Sequence, residues 1–403
     1  MASKFLPYGK QDITDSDVNA VVEALRSDFL TTGPRVQEFE EAFSQYVGAP
    51  HCIAVSNGTA ALHLACMALD ISKNDCVLVP TMSFAASTNG AAYCGADIEF
   101  MDCDPDSGLV TPETFKAAHA RAVERGKQPR LAVIVHLNGE HADMQSISKI
   151  AEAHKISIIE DACHALGTVF KDENDQDTMV GACRYSIMAT YSTHPVKTIT
   201  TGEGGVILTQ DTQIAKRLRL LRNHGLERDP NSFEYDTLAF DSKGEPNLWY
   251  YELQELGYNY RLTDIASALG TSQMKRMPQI ASRRRELKAI YDELLAKSNL
   301  PVRPIKTPEG VDPVRHLYPV LIDFDTIGIE RNQFCKALRE RGIGSQVHYI
   351  PTHIQPFYRK QFPVLSLPGS QEYYRRIISL PLFPLMKDDD PKRVIDAISA
   401  VLA

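Results

Sequence analysis

At 403 residues the chain exceeds one ordinary core and predicts two or three domains, or one large α/β unit with an appendage, with room to bury a cofactor-sized cavity. Hydrophobic residues at 43% and charged residues at 23% are those of a folded globular chain rather than a disordered one. A net charge of −8 argues against a nucleic-acid partner, and no apolar run approaches the roughly 18 to 20 residues of a membrane span or forms a signal-peptide core, so a cytoplasmic protein is expected.

The first half alternates helix-like and strand-like segments. After Ser56-Asn57, apolar residues at Ala61, Leu62, Leu64, Ala65, Ala68 and Leu69 predict an amphipathic helix, and Cys76-Val77-Leu78-Val79 before Pro80 predicts a buried strand. A helix over 84–94 ending at Gly95, a strand over 98–101, and a helix opened by Thr111 as cap with Pro112 at its first position follow. Strand 131–137, helix 144–155 and strand 157–159 continue the alternation, and two further strand-like segments, 185–191 and 205–209, flank a loop rich in Thr, Pro and Gly. Such alternation predicts a mostly parallel sheet with helices on both faces.

Near residue 276 the pattern changes. A long helix over 280–297, a Pro-dotted stretch at 301–313, a strand over 317–322, a helix over 331–341 and a last helix after Pro391 predict a smaller α+β C-terminal domain. The expected division is 1–275 and 276–403, with the N-terminal 25 or so residues packing on the small domain. The basic run Arg283-Arg284-Arg285 reads as a solvated helix face. The eight cysteines form no C-x-x-C pair and read as small buried hydrophobes, and the histidines show no metal-ligand spacing, so no metal site is expected.

Three segments could carry chemistry, because ligands of open α/β sheets bind beyond the carboxyl ends of the strands. Ser56-Asn57-Gly58-Thr59-Ala60 opens a helix and collects free amides, a positive dipole end and two hydroxyls, which suits a phosphate as well as an ordinary cap. Asp161 follows an apolar strand, where a carboxylate is costly without a fixed partner; a cation or a helix cap would serve. Lys197 lies in the loop between two apolar strands. A lone lysine is ordinarily a solvated charge, but burial would lower its pKa toward the neutral amine that attacks carbonyls. Tyr318, His316 and His348 could equally hold a sugar or serve as buried structural rings.

Taken in this order, NGTAALHLA, EDACHALG, HPVKTITTGEGG and GYNYRLTDIASALG resemble the sugar aminotransferases of the DegT/DnrJ/EryC1/StrS family, over nearly the whole length. The nearest likeness is to transaminases of pseudaminic acid synthesis, through ELGYNYRLTD, RHLYPVL and GIGSQVHYIPT. The resemblance implies the type I aspartate-aminotransferase fold and pyridoxal 5′-phosphate as cofactor, with Lys197 as its Schiff-base lysine and proton shuttle and Asp161 on the pyridine nitrogen. It places Phe84 over the ring, His164 beside the ring hydroxyl, and Gly58, Thr59, Ala60 and Ser192 around the phosphate. Asn259 matches a contact given by a neighbouring subunit, which implies a homodimer. The implied reaction moves an amino group from an amino acid, glutamate by resemblance, to C4 of a nucleotide-linked 4-keto-6-deoxy sugar, with UDP-linked N-acetylhexosamine preferred. The alternatives are another nucleotide keto sugar, of the GDP-perosamine or dTDP-sugar type, a sugar dehydratase, which Lys197 argues against because that branch has histidine there, and a non-catalytic regulatory protein of the same fold. Thr193, Cys163 and the long segment 229–251 depart from the common pattern, the last at the substrate contacts.

Overall fold

The computed structural model describes residues 5–402. Seven strands form the central sheet in the spatial order His51–Val55, Gly205–Thr209, Met188–Ser192, Ser157–Asp161, Pro129–Val135, Cys76–Pro80, Asp97–Met101. Only Gly205–Thr209 runs antiparallel to its neighbours; the other pairings are parallel. Six parallel strands therefore point their carboxyl ends, at Val55, Pro80, Met101, Val135, Asp161 and Ser192, toward one edge. The sheet is mostly parallel and covered by helices, as expected for this class.

The continuous apolar strand runs follow from burial on both faces. Val77 and Val79 join Ile53, Val133 and Ile159 in one core. Their alternates Cys76 and Leu78 join Ala132 and Ile134 in a second core on the opposite face. The helix Gly58–Ala68 differs from the expected amphipathic one: Gly58, Ala60 through Cys66 and Ala68 are all buried. It lies between the sheet and the helices Ala86–Tyr93 and Thr212–Arg222, so none of its residues is fully exposed. The helix from Pro112 is capped as expected, Thr111 Oγ1 accepting from the Thr114 amide.

A three-stranded antiparallel sheet, Val302–Pro304, Tyr318–Ile322 and Ile377–Leu380, carries a separate core. Leu6, from the N-terminal segment, is part of that core. The helix Met277–Lys297 connects the two: Met277, Ile280 and Ala281 pack with the large sheet, and Leu287, Tyr291 and Leu295 with the small one.

The arginine run on this helix corrects one expectation. Arg284 is buried and donates to the carbonyls of Arg315, His316 and Leu382. Arg283 pairs with Glu286 and Asp388, and Arg285 with Asp312. The three guanidinium groups tie the helix to the chain around it instead of forming a solvated face, because planar five-donor groups can satisfy several carbonyls at once. All eight cysteines are free, and five are buried.

Candidate active site

The carboxyl edge of the sheet opens into a cavity of about 720 Å³, within the range of small-molecule and cofactor sites. It is lined by Gly58, Thr59, Ala60, Phe84, Asp161, His164, Ser192 and Lys197, so eight of the nine residues expected from sequence meet in one place. The ninth, Asn259, is exposed on a segment bridged to Asn223 and does not line the cavity of its own chain.

At one end the helix Gly58–Ala68 begins. Asn57 is its cap, and Asn57 Oδ1 accepts from the Ala60 amide at 2.8 Å. The amides of Gly58 and Thr59 precede any intrahelical acceptor and have no partner among the described residues, so two donors at the positive end of the helix face the cavity beside Ser192. Gly58 is required by close approach: a Cβ there would lie 2.9 Å from Ser192 Cβ. Such a helix start is suited to an anion such as a phosphate.

Asp161 closes the central strand and is only 5% exposed. Oδ2 accepts from Ser87 Oγ at 2.6 Å, and Oδ1 from the Cys163 amide at 3.2 Å. Ser83 lies 2.6 Å behind Ser87, completing a short hydroxyl chain. No ion pair to Asp161 forms among the described residues, so a buried carboxylate faces the cavity with hydrogen bonds but no cation. A protonated ring nitrogen meets that need.

Lys197 is half-buried. Burial lowers its ammonium below the ordinary lysine value, with Cys163 and Asp161 pulling the other way. The result is an amine closer to its neutral, nucleophilic form. Phe84 is 60% exposed on the other side of the cavity, leaving ring surface open to a ligand. Its nearest aromatic neighbour is Tyr349, 6.0 Å between centroids.

Three histidines surround the lysine, and each is held neutral. Burial drives His164 and His316 well below their ordinary values, and it brings His348 to about 4, with the Lys197 charge acting in the same direction. His316 packs against His164 with its ring tilted by 35° and the centroids 4.1 Å apart, and His348 lines the cavity. Tyr318 does not reach it; its hydroxyl donates to Asp292 and its ring stacks on Tyr291. Ser87, Tyr349 and Tyr260 were not singled out from the sequence, although Tyr349 and Tyr260 lie in the quoted blocks GIGSQVHYIPT and GYNYR.

A profile of the DegT/DnrJ/EryC1/StrS aminotransferase family matches residues 11–399. The chain belongs to this family. Helicobacter pylori PseC, an aminotransferase involved in the biosynthesis of pseudoaminic acid, is 26% identical, with a TM-score of 0.85 over 99% of each chain. DesV from S. venezuelae, solved with a ketimine intermediate, is 27% identical with a TM-score of 0.84 over 99% of each chain. Spr1654 of Streptococcus pneumoniae, in its PLP form, is 25% identical with a TM-score of 0.84, covering 99% of this chain and 98% of its own. Members of the family are pyridoxal-phosphate-dependent sugar aminotransferases, and this chain is an enzyme of that class, with the corresponding fold.

Proposed function

We propose that this aminotransferase moves an amino group from an amino acid, glutamate in the first instance, to C4 of a nucleotide-linked 4-keto-6-deoxy sugar, UDP-linked N-acetylhexosamine being the preferred acceptor, in surface-glycan synthesis of the pseudaminic acid type. The observation that carries the amine chemistry is the convergence of Lys197, the cation-free carboxylate of Asp161 and the free amides of Gly58 and Thr59 on one cavity. Support for the acceptor is the likeness to PseC.

In this reading Gly58, Thr59 and Ser192 hold the phosphate of pyridoxal 5′-phosphate, Asp161 the ring nitrogen, Phe84 one ring face, and His164 the region of the ring oxygen. When bound, the cofactor supplies an electron sink and carries the amino group between the two substrates. Asp161, whose Oδ2 and Oδ1 are held in place by Ser87 and the Cys163 amide, would keep the ring nitrogen protonated. Lys197 Nζ would carry a proton from the donor's Cα to the cofactor's C4′ carbon in one half-reaction and from C4′ to the sugar carbon in the other, a role that needs the free amine burial favours. Ala60, whose amide is taken by Asn57, contributes shape to the phosphate end.

The enzyme acts as a cytoplasmic homodimer, with Asn259 reaching the partner's cavity. Its exposure and its absence from the cavity of its own chain support this, as do the neighbouring exposed apolar residues Leu253, Leu256 and Tyr258. Among the described residues no helix is long and apolar enough to cross a membrane.

Purified protein reconstituted with pyridoxal phosphate should show the visible band of the bound cofactor and lose it in Lys197→Ala; a wild type that stays colourless would refute the enzyme reading of this site. Product analysis with UDP-, GDP- and dTDP-linked keto sugars then identifies the acceptor. A preference for GDP or dTDP would replace the UDP assignment.

A further inference from the structure

The tautomer of His164 follows from its surroundings. The Asn138 amide donates to His164 Nδ1 at 3.2 Å, and a backbone N–H can only donate, so Nδ1 is the unprotonated nitrogen. Asn138 presents that amide from a left-handed backbone conformation, φ 62°, which asparagine tolerates better than most residues, and its side chain donates to Tyr373 Oη at 2.8 Å. Burial keeps the imidazole neutral, so its one proton is on Nε2.

Nε2 lies 3.1 Å from Tyr349 Oη. The imidazole therefore donates and the phenol oxygen accepts, which leaves the phenolic proton directed elsewhere. Burial holds the Tyr349 phenol above its ordinary value, so the proton stays on oxygen throughout the physiological range. No acceptor for it occurs among the described residues, and Tyr349 lines the same cavity as Lys197 and Phe84. A proton-bearing phenol, oriented by a neighbouring imidazole and open toward a cavity, is a preformed donor for an oxygen anion.

We propose that Tyr349, oriented by His164, donates a hydrogen bond to the anionic ring oxygen of pyridoxal 5′-phosphate. This rests on the cofactor reading above. The small, C-terminal part of the chain thereby supplies a cofactor contact through a hydroxyl whose direction is set by the Asn138 amide, 211 residues away from it in sequence (349 − 138).

The test is Tyr349→Phe, which removes one oxygen and keeps the ring packed near Phe84. Without the donor, negative charge on the ring oxygen is less well stabilised, so the bound form that carries the extra proton persists to higher pH. The pH midpoint of the visible band should move up by about one to two units, the size of a hydrogen bond to a charged group. Affinity of the apoprotein for pyridoxal phosphate, read by quenching of its fluorescence, should fall about tenfold or more. With 3-deoxypyridoxal phosphate, which lacks the ring oxygen, wild type and variant should bind equally.

An unchanged midpoint and an unchanged affinity in the variant would overturn the proposal while leaving the cofactor reading intact. Equal losses for both cofactor forms would overturn it too, showing that the hydroxyl acts only on packing. If wild-type apoprotein fails to bind pyridoxal phosphate, the cofactor reading and this inference both fall.

Discussion

Ser87 Oγ donates to Asp161 Oδ2 at 2.6 Å inside the protein, with Ser83 Oγ a further 2.6 Å behind it. The carboxylate is thus held by a hydroxyl chain that begins just past the strand Cys76–Pro80, two places away in the sheet, and continues into the helix Ala86–Tyr93. Its free side is turned to the cavity.

Replacing Asp161 by Asn should weaken pyridoxal phosphate binding by roughly a hundredfold or more, because a buried ion pair that loses one partner forfeits about 3–5 kcal/mol. Ser87→Ala, which leaves the charge but not its orientation, should lose only about tenfold, at the lower end of a hydrogen bond to a charged group. Fluorescence titration of the apoproteins measures both. If Asp161→Asn binds as tightly as wild type, the carboxylate faces no cation.

Gly58→Ala would place a Cβ 2.9 Å from Ser192 Cβ, where one of the two must move. We expect destabilisation of about 1–3 kcal/mol in denaturant unfolding, as for other overpacked sites, together with weaker binding of inorganic phosphate or pyridoxal phosphate. A variant with wild-type affinity for both would show that this helix start is not the phosphate cradle.

Because burial lowers the Lys197 ammonium, the protonated form is lost at a pH below the ordinary lysine value of about 10.4. The rate at which apoprotein takes up pyridoxal phosphate should therefore rise with pH on a limb lying below that value and level off once the amine is neutral. Stopped-flow absorbance over pH 6–10 reads the limb, using roughly the span below a free lysine. A limb centred at or above the value of free lysine would contradict a desolvated amine.

The long segment after the helix Thr212–Arg222 carries Leu248 at 98% and Trp249 at 76% exposure, yet it is anchored at Glu252. The Glu252 carboxylate accepts from the amides of Glu234 and Tyr235, from Gln254 Nε2 and from Tyr250 Oη. Burial opposes its ionisation, but these donors outweigh that and hold the acid at about 2. A depressed carboxylate contributes stability above its unfolded value near 4.3 and loses it as pH falls toward 2. Hydrogen exchange at the Glu234 and Tyr235 amides should be faster in Glu252→Gln than in wild type at pH 7, with the difference shrinking as the pH is lowered through 4 to 2. A difference independent of pH would show that the charge is not what orders the segment.

Arg315 and Glu140 form an ion pair at 2.6 Å with both side chains buried. Burial raises the Glu140 acid, and Arg315 counters it. Arg315→Met should cost about 3–5 kcal/mol, because it leaves an uncompensated carboxylate, and the double variant with Glu140→Gln should recover part of that loss. Chemical denaturation of the three proteins tests this; a double variant no more stable than Arg315→Met would place the loss in packing rather than charge.

Much of the site was legible because its signals are local. A Thr-Pro pair starts a helix at 111–112, an apolar run ends at Pro80, and the order of the Gly58, Asp161 and Lys197 segments carries the family resemblance. Each of these depends on neighbouring residues or on a contiguous block of chain, so no knowledge of distant packing is needed. Arg284 shows the limit: a run of three arginines has the composition of a wet helix face, and only the carbonyls of Arg315, His316 and Leu382 turn its middle member inward.

The amino-acid sequence by itself determined the alternating α/β order, the helix start suited to phosphate and, through its blocks, the family and the paired roles expected of Lys197 and Asp161. Tertiary structure alone decided that Asp161 is held by the Ser87 hydroxyl and the Cys163 amide with no ion pair among the described residues, that His164 carries its proton on Nε2, and that Tyr349 reaches the same cavity. The reason is separation along the chain: His164 and Tyr349 are 185 positions apart, and only the packing of the small sheet's surroundings against the large sheet brings a phenol within 3.1 Å of that imidazole.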